Sequence, residues 1–292
     1  MSEPVVKMAG NGPLAVICGG GSLPFTVADA AIKRGRRVVL FPIRDWADPQ
    51  RVAGYTHHWA VFGKLGWFFR IARQEGCRDV VLIGSVVRPA IWRVRLDLET
   101  LRLLPRFLGM FRGGDDHLLS GVAKILEEHG FRLMGAHEIA PEILMPAGLL
   151  GRVRPSDRDH ADIAMGLAFL NATGPFDVGQ GVVVADARVV AVEAAEGTDQ
   201  MLARVAELRR NGRIAAGAHR GVLVKAAKRG QDRRIDLPSI GPRTVEGAGR
   251  AGLAGIAVVA GSAIVADAER IGTVADREHV FVLGTPDEAA AR

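Results

Sequence analysis

Short, unbroken apolar runs alternate with stretches of helical period along the first half of the chain. Leu14–Cys18 (LAVIC), residues 37–42 (RVVLFP) and residues 79–84 (DVVLIG) each read as a buried strand. Between them, residues 25–34 and 66–74 carry apolar side chains at helical spacing, and a helix over 117–129 leads into a strand at 132–135. Continuous apolar strands separated by helices predict a parallel sheet. Around residues 145–155 the rhythm breaks into Met-Pro-Ala-Gly and Arg-Val-Arg-Pro, which reads as a linker. The second half opens with a helix over 159–171 and then turns strand-rich, at 181–185, 189–192, 221–225, 256–260 and 279–283. A helix over 199–210 puts Met201, Leu202, Val205 and Leu208 on one face. The expectation is two α/β domains, 1–145 and 146–292. The first is Rossmann-like with a mostly parallel sheet; the second is a smaller, strand-rich α/β unit.

Composition narrows the class without changing this picture. The 292 residues are 48% hydrophobic and 24% charged, which excludes a disordered or fibrous chain. Two cysteines, Cys18 and Cys77, with no CxxC pair and no HExxH spacing, argue against a disulfide scaffold and a common zinc site, and for a reducing compartment. No signal-peptide core is visible, so a cytoplasmic location is expected. The longest uncharged stretch, residues 251–266, is diluted by Gly252, Gly255 and Gly261 and falls short of the ~20 apolar residues of a bilayer span. It reads as a helix end and two short buried strands. The net charge of +6 sits mostly in the first half, with 19 basic and 14 acidic residues up to Met145 and 19 and 18 beyond it. All four tryptophans fall between Trp46 and Trp92, and no RNP, KH or zinc-finger pattern accompanies the charge, so no nucleic acid is expected. An anionic small molecule or anionic lipid surface suits it better.

Four segments can carry chemistry. Gly19-Gly20-Gly21-Ser22-Leu23-Pro24 lies where a strand ends and a helix begins, a place where backbone amides hold phosphate. Pro24 occupies the third glycine position of a dinucleotide fingerprint, and a plain strand-to-helix turn explains the same residues. Gly113-Gly114-Asp115-Asp116 precedes a helix; one aspartate suffices for a cap, and two exceed it. Upstream, residues 92–112 mix leucines and phenylalanines with five arginines, the composition of a helix on anionic lipid or around acyl chains, and equally of a core helix with a snorkelling face. Phe176-Asp177-Val178-Gly179-Gln180 enters a strand, and Glu193, Glu196, Thr198 and Asp199 follow the next strand's exit. Thr198 or Asp199 can serve as an N-cap, whereas Glu193 ends an apolar run at a strand terminus, where ligand groups are expected. The densest segment holds Lys225, Lys228, Gln231, Asp232, Arg234 and Asp236. Two of only six lysines, against 32 arginines, stand three residues apart beside aspartates, which suits a polyphosphate and its cation.

Taken in order, GGGSLP (19–24), GDD (114–116), FDVGQ (176–180), EAAEGTD (193–199) and VKAAKRGQDRRIDLPSIGP (224–242) resemble the UDP-2,3-diacylglucosamine pyrophosphatases of lipid A biosynthesis that lack the metallophosphoesterase fold. Arg229 stands where that family's pattern has proline. The resemblance implies Mg2+-dependent hydrolysis of the UDP-sugar pyrophosphate to UMP and 2,3-diacylglucosamine 1-phosphate (lipid X), with the lipid held between two α/β domains, and it places the essential aspartate at Asp232. On this reading Lys225, Lys228, Gln231, Asp232 and Asp236 are catalytic. Gly19, Gly20, Gly21, Ser22, Leu23, Pro24, Asp115, Asp116, Gln180 and Thr198 bind substrate. Asp232, Asp199, Glu193 and Asp177 hold the metal. Contact with the inner membrane surface is expected, and a homodimer is left open. Two other classes fit parts of the sequence. A nucleotide-cofactor oxidoreductase would use the glycine loop and Asp45. A non-catalytic lipid-binding protein would use residues 92–112 without the carboxylates.

Overall fold

The computed structural model describes residues 12–86, 95–110, 115–176, 178–214, 219–228 and 231–286, with backbone alone for 107–110 and 115–119. The chain divides into two compact units, Met1–Pro141 and Glu142–Arg292.

In the first unit the apolar runs become β1 (Leu14–Cys18), β2 (Val38–Pro42), β3 (Asp79–Ile83) and the short β4 (Arg132–Leu133). They form a parallel sheet in the order β2-β1-β3-β4, with β1 in the middle. The intervening helices are α1 (Leu23–Lys33), the single turn α2 (Pro49–Val52), α3 (Leu65–Gln74), α4 (Leu98–Met110), α5 (Asp115–Glu128) and α6 (Ala136–Ile139). Parallel strands require such crossovers, and strands covered on both faces read as unbroken apolar runs. In α3, Phe68 meets Phe41 edge-on at 4.8 Å, and both Phe68 and Phe69 pack on Phe131. At the start of β3, Asp79 is 4% exposed and lies between the guanidiniums of Arg36 and Arg132.

The second unit comprises β5 (Gly148–Leu150), α7 (Asp157–Thr173), β6 (Gly181–Ala185), β7 (Arg188–Val192), α8 (Gly197–Arg210), β8 (Val222–Lys225), β9 (Ser239–Ile240), α9 (Pro242–Arg250), β10 (Gly255–Val259), β11 (Ile264–Val265), α10 (Ala268–Glu278) and β12 (Phe281–Thr285). Its main sheet has the order β5-β12-β10-β8-β6-β7, and β9 pairs with β11 separately. Successive strand residues face opposite sides. Val183, Leu223, Ile256 and Val258 therefore pack under α8, α9 and α10, while Val182, Val184, Val222, Val224 and Ala257 pack on α7. Expected to be the smaller, this unit carries the larger sheet, six strands against four.

The expected linker contains β5, which joins the sheet antiparallel to β12 with Leu149 opposite Leu283 and Gly148 opposite Gly284. Its neighbouring prolines and glycines look like linker residues because an edge strand of three residues needs little apolar pattern of its own. Within 251–266 the two expected short strands are present as β10 and β11. Among the described residues no helix is long and apolar enough to cross a membrane.

Candidate active site

β7 runs antiparallel to β6, and β6 antiparallel to β8, while β8, β10 and β12 are parallel, so the carboxyl ends of β7, β8, β10 and β12 share one edge of the sheet. Glu193 follows β7, Lys225 ends β8 opposite Gly181, and Gln180 precedes β6. Three segments distant in sequence thus meet through ladder register alone. Two glycines make room: a Cβ on Gly181 would fall 2.5 Å from Glu193 Oε2, and one on Gly179 would fall 2.6 Å from the Glu193 carbonyl oxygen.

The Thr198 hydroxyl donates to Glu193 Oε1 at 2.6 Å and accepts from Lys225 Nζ at 2.6 Å. Lys225 is 5% exposed, and its Nζ lies 3.6 Å from Glu193 Oε2. Burial pushes the ammonium below its usual pKa, with Glu193 opposing and Asp199 and Asp236 adding smaller contributions of the same sign. Glu193 Oε2 is buried and accepts no hydrogen bond among the described residues. Such an acceptor costs on the order of 1–3 kcal/mol unless something binds it. Thr198 is not the N-cap of α8: that position is Glu196, whose side chain makes no capping bond, and Thr198 stands inside the first turn with its hydroxyl aimed at the lysine and glutamate. The uncapped start of a 14-residue helix therefore adds amide dipoles beside the buried lysine.

Next to this group, Gln180 Nε2 donates to Asp236 Oδ2 at 2.8 Å and to Gln231 Oε1 at 3.3 Å, and Gln231 Nε2 also donates to Asp236. The backbone N–H of Lys228 donates to Gln231 Oε1 at 3.1 Å. The loop after β8 is stapled across the sheet edge by Arg233, which donates to the Gly261 carbonyl and to Ser262 Oγ at 3.1 Å.

Asp232 stands apart from that network and pairs with a neighbour. The Arg234 backbone N–H and Nε donate to its Oδ1, both at 3.0 Å, and Nη2 donates to Oδ2 at 2.7 Å. The Arg234 guanidinium holds the carboxyl below its ordinary pKa. Asp199 pairs with Arg243 at 2.9 Å on the exposed surface. Asp177 lies outside the described residues. Among the described residues no three His, Cys, Asp or Glu side chains converge on one point, so the expected metal set is spread over separate ion pairs. The donor chemistry nevertheless fits a hard divalent cation. It is all oxygen, and such ions are commonly held by one or two carboxylates together with substrate phosphate.

In the first unit, the Gly19 N–H donates to the Ile83 carbonyl and the Gly20 N–H to the Ser85 carbonyl, both at 2.8 Å. These two amides are spent on the crossing of the loop over the end of β3 and do not face a phosphate. The crossing also explains Gly19: a Cβ there would lie 2.6 Å from the Ser85 oxygen. Gly21 has a φ of 94°, and Ser22, Leu23 and Pro24 open α1 with the proline in its first turn. Asp115 and Asp116 occupy the first turn of α5, and their side chains are outside the description. Asp45 follows β2 with a φ of 71°. Sequence reasoning missed the pairing of Arg234 with Asp232 and the staple made by Arg233, since an arginine run gives no sign of which members turn inward.

Two family models cover the chain: the LpxI N-terminal domain matches residues 13–143 and the LpxI C-terminal domain residues 146–283. The chain belongs to the LpxI family. A relative from Caulobacter vibrioides, named UDP-2,3-diacylglucosamine pyrophosphatase LpxI, is 42% identical over 271 residues, spanning 93% of this chain and 96% of that protein. Among solved structures, the Bordetella bronchiseptica enzyme WbmG in complex with NAD aligns with 43% of this chain and 37% of its own at 15% identity. Its TM-score is 0.29.

Proposed function

We propose that the chain hydrolyses the pyrophosphate bond of UDP-2,3-diacylglucosamine, releasing UMP and 2,3-diacylglucosamine 1-phosphate within lipid A biosynthesis. The observation that carries this reading is the buried Lys225–Thr198–Glu193 group beside the uncapped start of α8, with one glutamate oxygen left without a donor. Water attack on a pyrophosphate forms one P–O bond and breaks the bridging one, and positioning with electrostatics supplies most of the acceleration. Lys225 and the α8 amides take phosphate charge. Glu193, with its open oxygen, accepts a proton or orients water. Gln180, Gln231 and Asp236 fix the loop after β8 against the sheet edge. Mg2+ would be held by Asp232 and Glu193, with Asp199 in support, once Asp232 leaves its pairing with Arg234; bound there, the ion would neutralise charge on the pyrophosphate oxygens.

Lipid contact belongs to the first unit in this reading. Leu96, Leu98 and Leu101 are 45%, 77% and 52% exposed around the start of α4, beside the exposed Arg102. Trp92 to Val94 and Phe111 to Gly114 lie outside the described residues. Leu103 and Thr100 of α4 are buried, so this helix packs one face inward and turns Leu98 and Leu101 outward, where with Leu96 they suit an apolar lipid.

The test is phosphorus NMR of purified protein with UDP-2,3-diacylglucosamine. Stoichiometric UMP and sugar 1-phosphate are expected with Mg2+, and loss of turnover after EDTA with recovery on adding Mg2+ back. Full turnover after exhaustive chelation would remove the metal assignment. No UMP under any divalent ion would remove the reaction.

A further inference from the structure

A cavity of about 460 Å3 in the first unit takes no part in the chemistry above. It is lined by Arg44, His57, His58, Trp59, Lys64 and Trp67. Its size falls within the ~300–1,000 Å3 of small-molecule sites.

Backbone geometry explains why these residues meet. Past β2 the chain returns and runs parallel beside it. Leu40 N–H donates to Thr56, His58 N–H to Leu40, Ala60 N–H to Pro42 and Arg44 N–H to Ala60, at 2.8–3.1 Å. This ladder lays residues 57–58 alongside Leu40–Pro42 and brings Ala60 and Arg44 together just past the carboxyl end of β2, the side of a parallel sheet where ligands collect. Beneath them Phe41 supports both walls, with its ring 5.9 Å from His58 and 6.3 Å edge-on from Trp67. His58 is tied to Glu75 at 2.7 Å, and His57 presents Nδ1 to the Tyr55 carbonyl at 2.9 Å, which makes Nε2 an acceptor in the neutral ring.

The charge is unbalanced. Glu75, beside the lining His58, already serves His58 and Arg37, and Asp97, which accepts from the Trp67 N–H, is held by the amide and hydroxyl of Thr100. No ion pair among the described residues uses the Arg44 or Lys64 side chain. The site thus offers two indoles for a flat ring and two cations, without an ion pair among the described residues, for an anion. Stacking with charge-assisted contacts is how proteins hold nucleotides without reading a strand.

We propose that this cavity is a binding site for a nucleoside monophosphate group, its base against Trp59 or Trp67 and its phosphate on Arg44 and Lys64. The proposal stands on the cavity; only the choice of uracil as base rests on the function proposed above. The chemistry is shared by free UMP and by the uridine end of a UDP-sugar.

All four tryptophans belong to the first unit, so intrinsic fluorescence of the full chain reports on this site. Titration with UMP should give saturable quenching, at least ~10-fold tighter than with uridine or inorganic phosphate alone. Arg44→Ala and Trp59→Leu should each weaken it about tenfold or more with unchanged circular dichroism, and Asp232→Ala should leave it intact. In the hydrolysis assay, a raised KM at unchanged kcat in Arg44→Ala assigns the site to the substrate's uridine end. Relief of UMP inhibition at unchanged KM assigns it to free product. No saturable UMP binding, equal binding of inorganic phosphate, or UMP binding untouched by Arg44→Ala and Trp59→Leu would overturn the proposal. The titration needs no turnover, so a chain that binds UMP here yet never hydrolyses a UDP-sugar keeps this site and loses only the reaction.

Discussion

At the scale of single residues, the second unit holds a lysine and a glutamate that are each at most 9% exposed, joined through one threonine hydroxyl. Removing one member of such a pair strands the other charge, whereas neutralising both does not. Lys225→Met should therefore lower stability by roughly 3–5 kcal/mol in urea unfolding at neutral pH. Combining it with Glu193→Gln should restore most of that loss. A double variant as unstable as the single one would mean that the two do not act as a pair, and both variants should be inactive. Asp232 gives the opposite pattern, because it sits on a partly exposed loop with a local arginine. Asp232→Ala should cost more than about tenfold in rate, above ~1.4 kcal/mol of barrier, with an unchanged unfolding midpoint. Retention of more than a tenth of the wild-type rate would contradict its assigned role. Glu193 was legible in the sequence from its place after an apolar run. The role of Thr198 was not, since a capping threonine and a bridging one occupy the same helical turn.

At the scale of elements, the apolar runs of the first unit marked β1, β2 and β3 to within a residue at each end, because a strand covered on both faces must be apolar throughout. α9 was legible only by its end, at the start of residues 251–266, because its sequence, PRTVEGAGR, has two glycines that helices avoid. Tertiary contact explains both, since a Cβ on Gly247 would lie 3.0 Å from Leu202 and one on Gly249 2.8 Å from Glu278. β5 was hidden for a related reason, its pairing being set by β12 near the other end of the unit. There Gly284 faces the Pro146 carbonyl so closely that a Cβ would reach 2.0 Å from it. Gly284→Ala should force β5 off the edge and cost about 1–3 kcal/mol, with hydrogen-exchange protection lost at residues 148–150; retained protection there would show that the edge can shift to accept a methyl group. In the first unit, burial alone would raise the carboxyl pKa of Asp79, but Arg132 and Arg36 bring it below the ordinary 3.8. A lowered carboxyl pKa adds stability above the unfolded value and loses it as pH falls through the folded one. The stability gap between the wild type and Asp79→Asn should thus be widest above about pH 4 and shrink below it. Urea unfolding as a function of pH checks this, and a gap that stays constant down to strongly acidic pH would exclude the linkage.

At the scale of the whole chain, charge and apolar exposure coincide in sequence. The 145 residues up to Met145 carry an excess of five positive charges and the remainder an excess of one. The three exposed leucines at the start of α4 lie in that same first part. An apolar patch alone would bind zwitterionic and anionic bilayers equally, and cationic charge alone would bind polyanions without inserting; acting together they would select an anionic membrane surface. The chain should therefore co-sediment with vesicles containing anionic phospholipid and much less with purely zwitterionic ones. Binding should weaken as salt rises from ~0.1 M to ~1 M, where the screening length drops from ~10 Å to ~3 Å. Leu98→Glu, at the most exposed of the three leucines, should reduce vesicle binding at both salt concentrations while leaving the unfolding midpoint and UMP release from a detergent-dispersed substrate unchanged. Equal binding to both vesicle types, or binding indifferent to salt and to Leu98→Glu, would place the membrane contact elsewhere and leave the leucines for acyl chains of a single bound lipid.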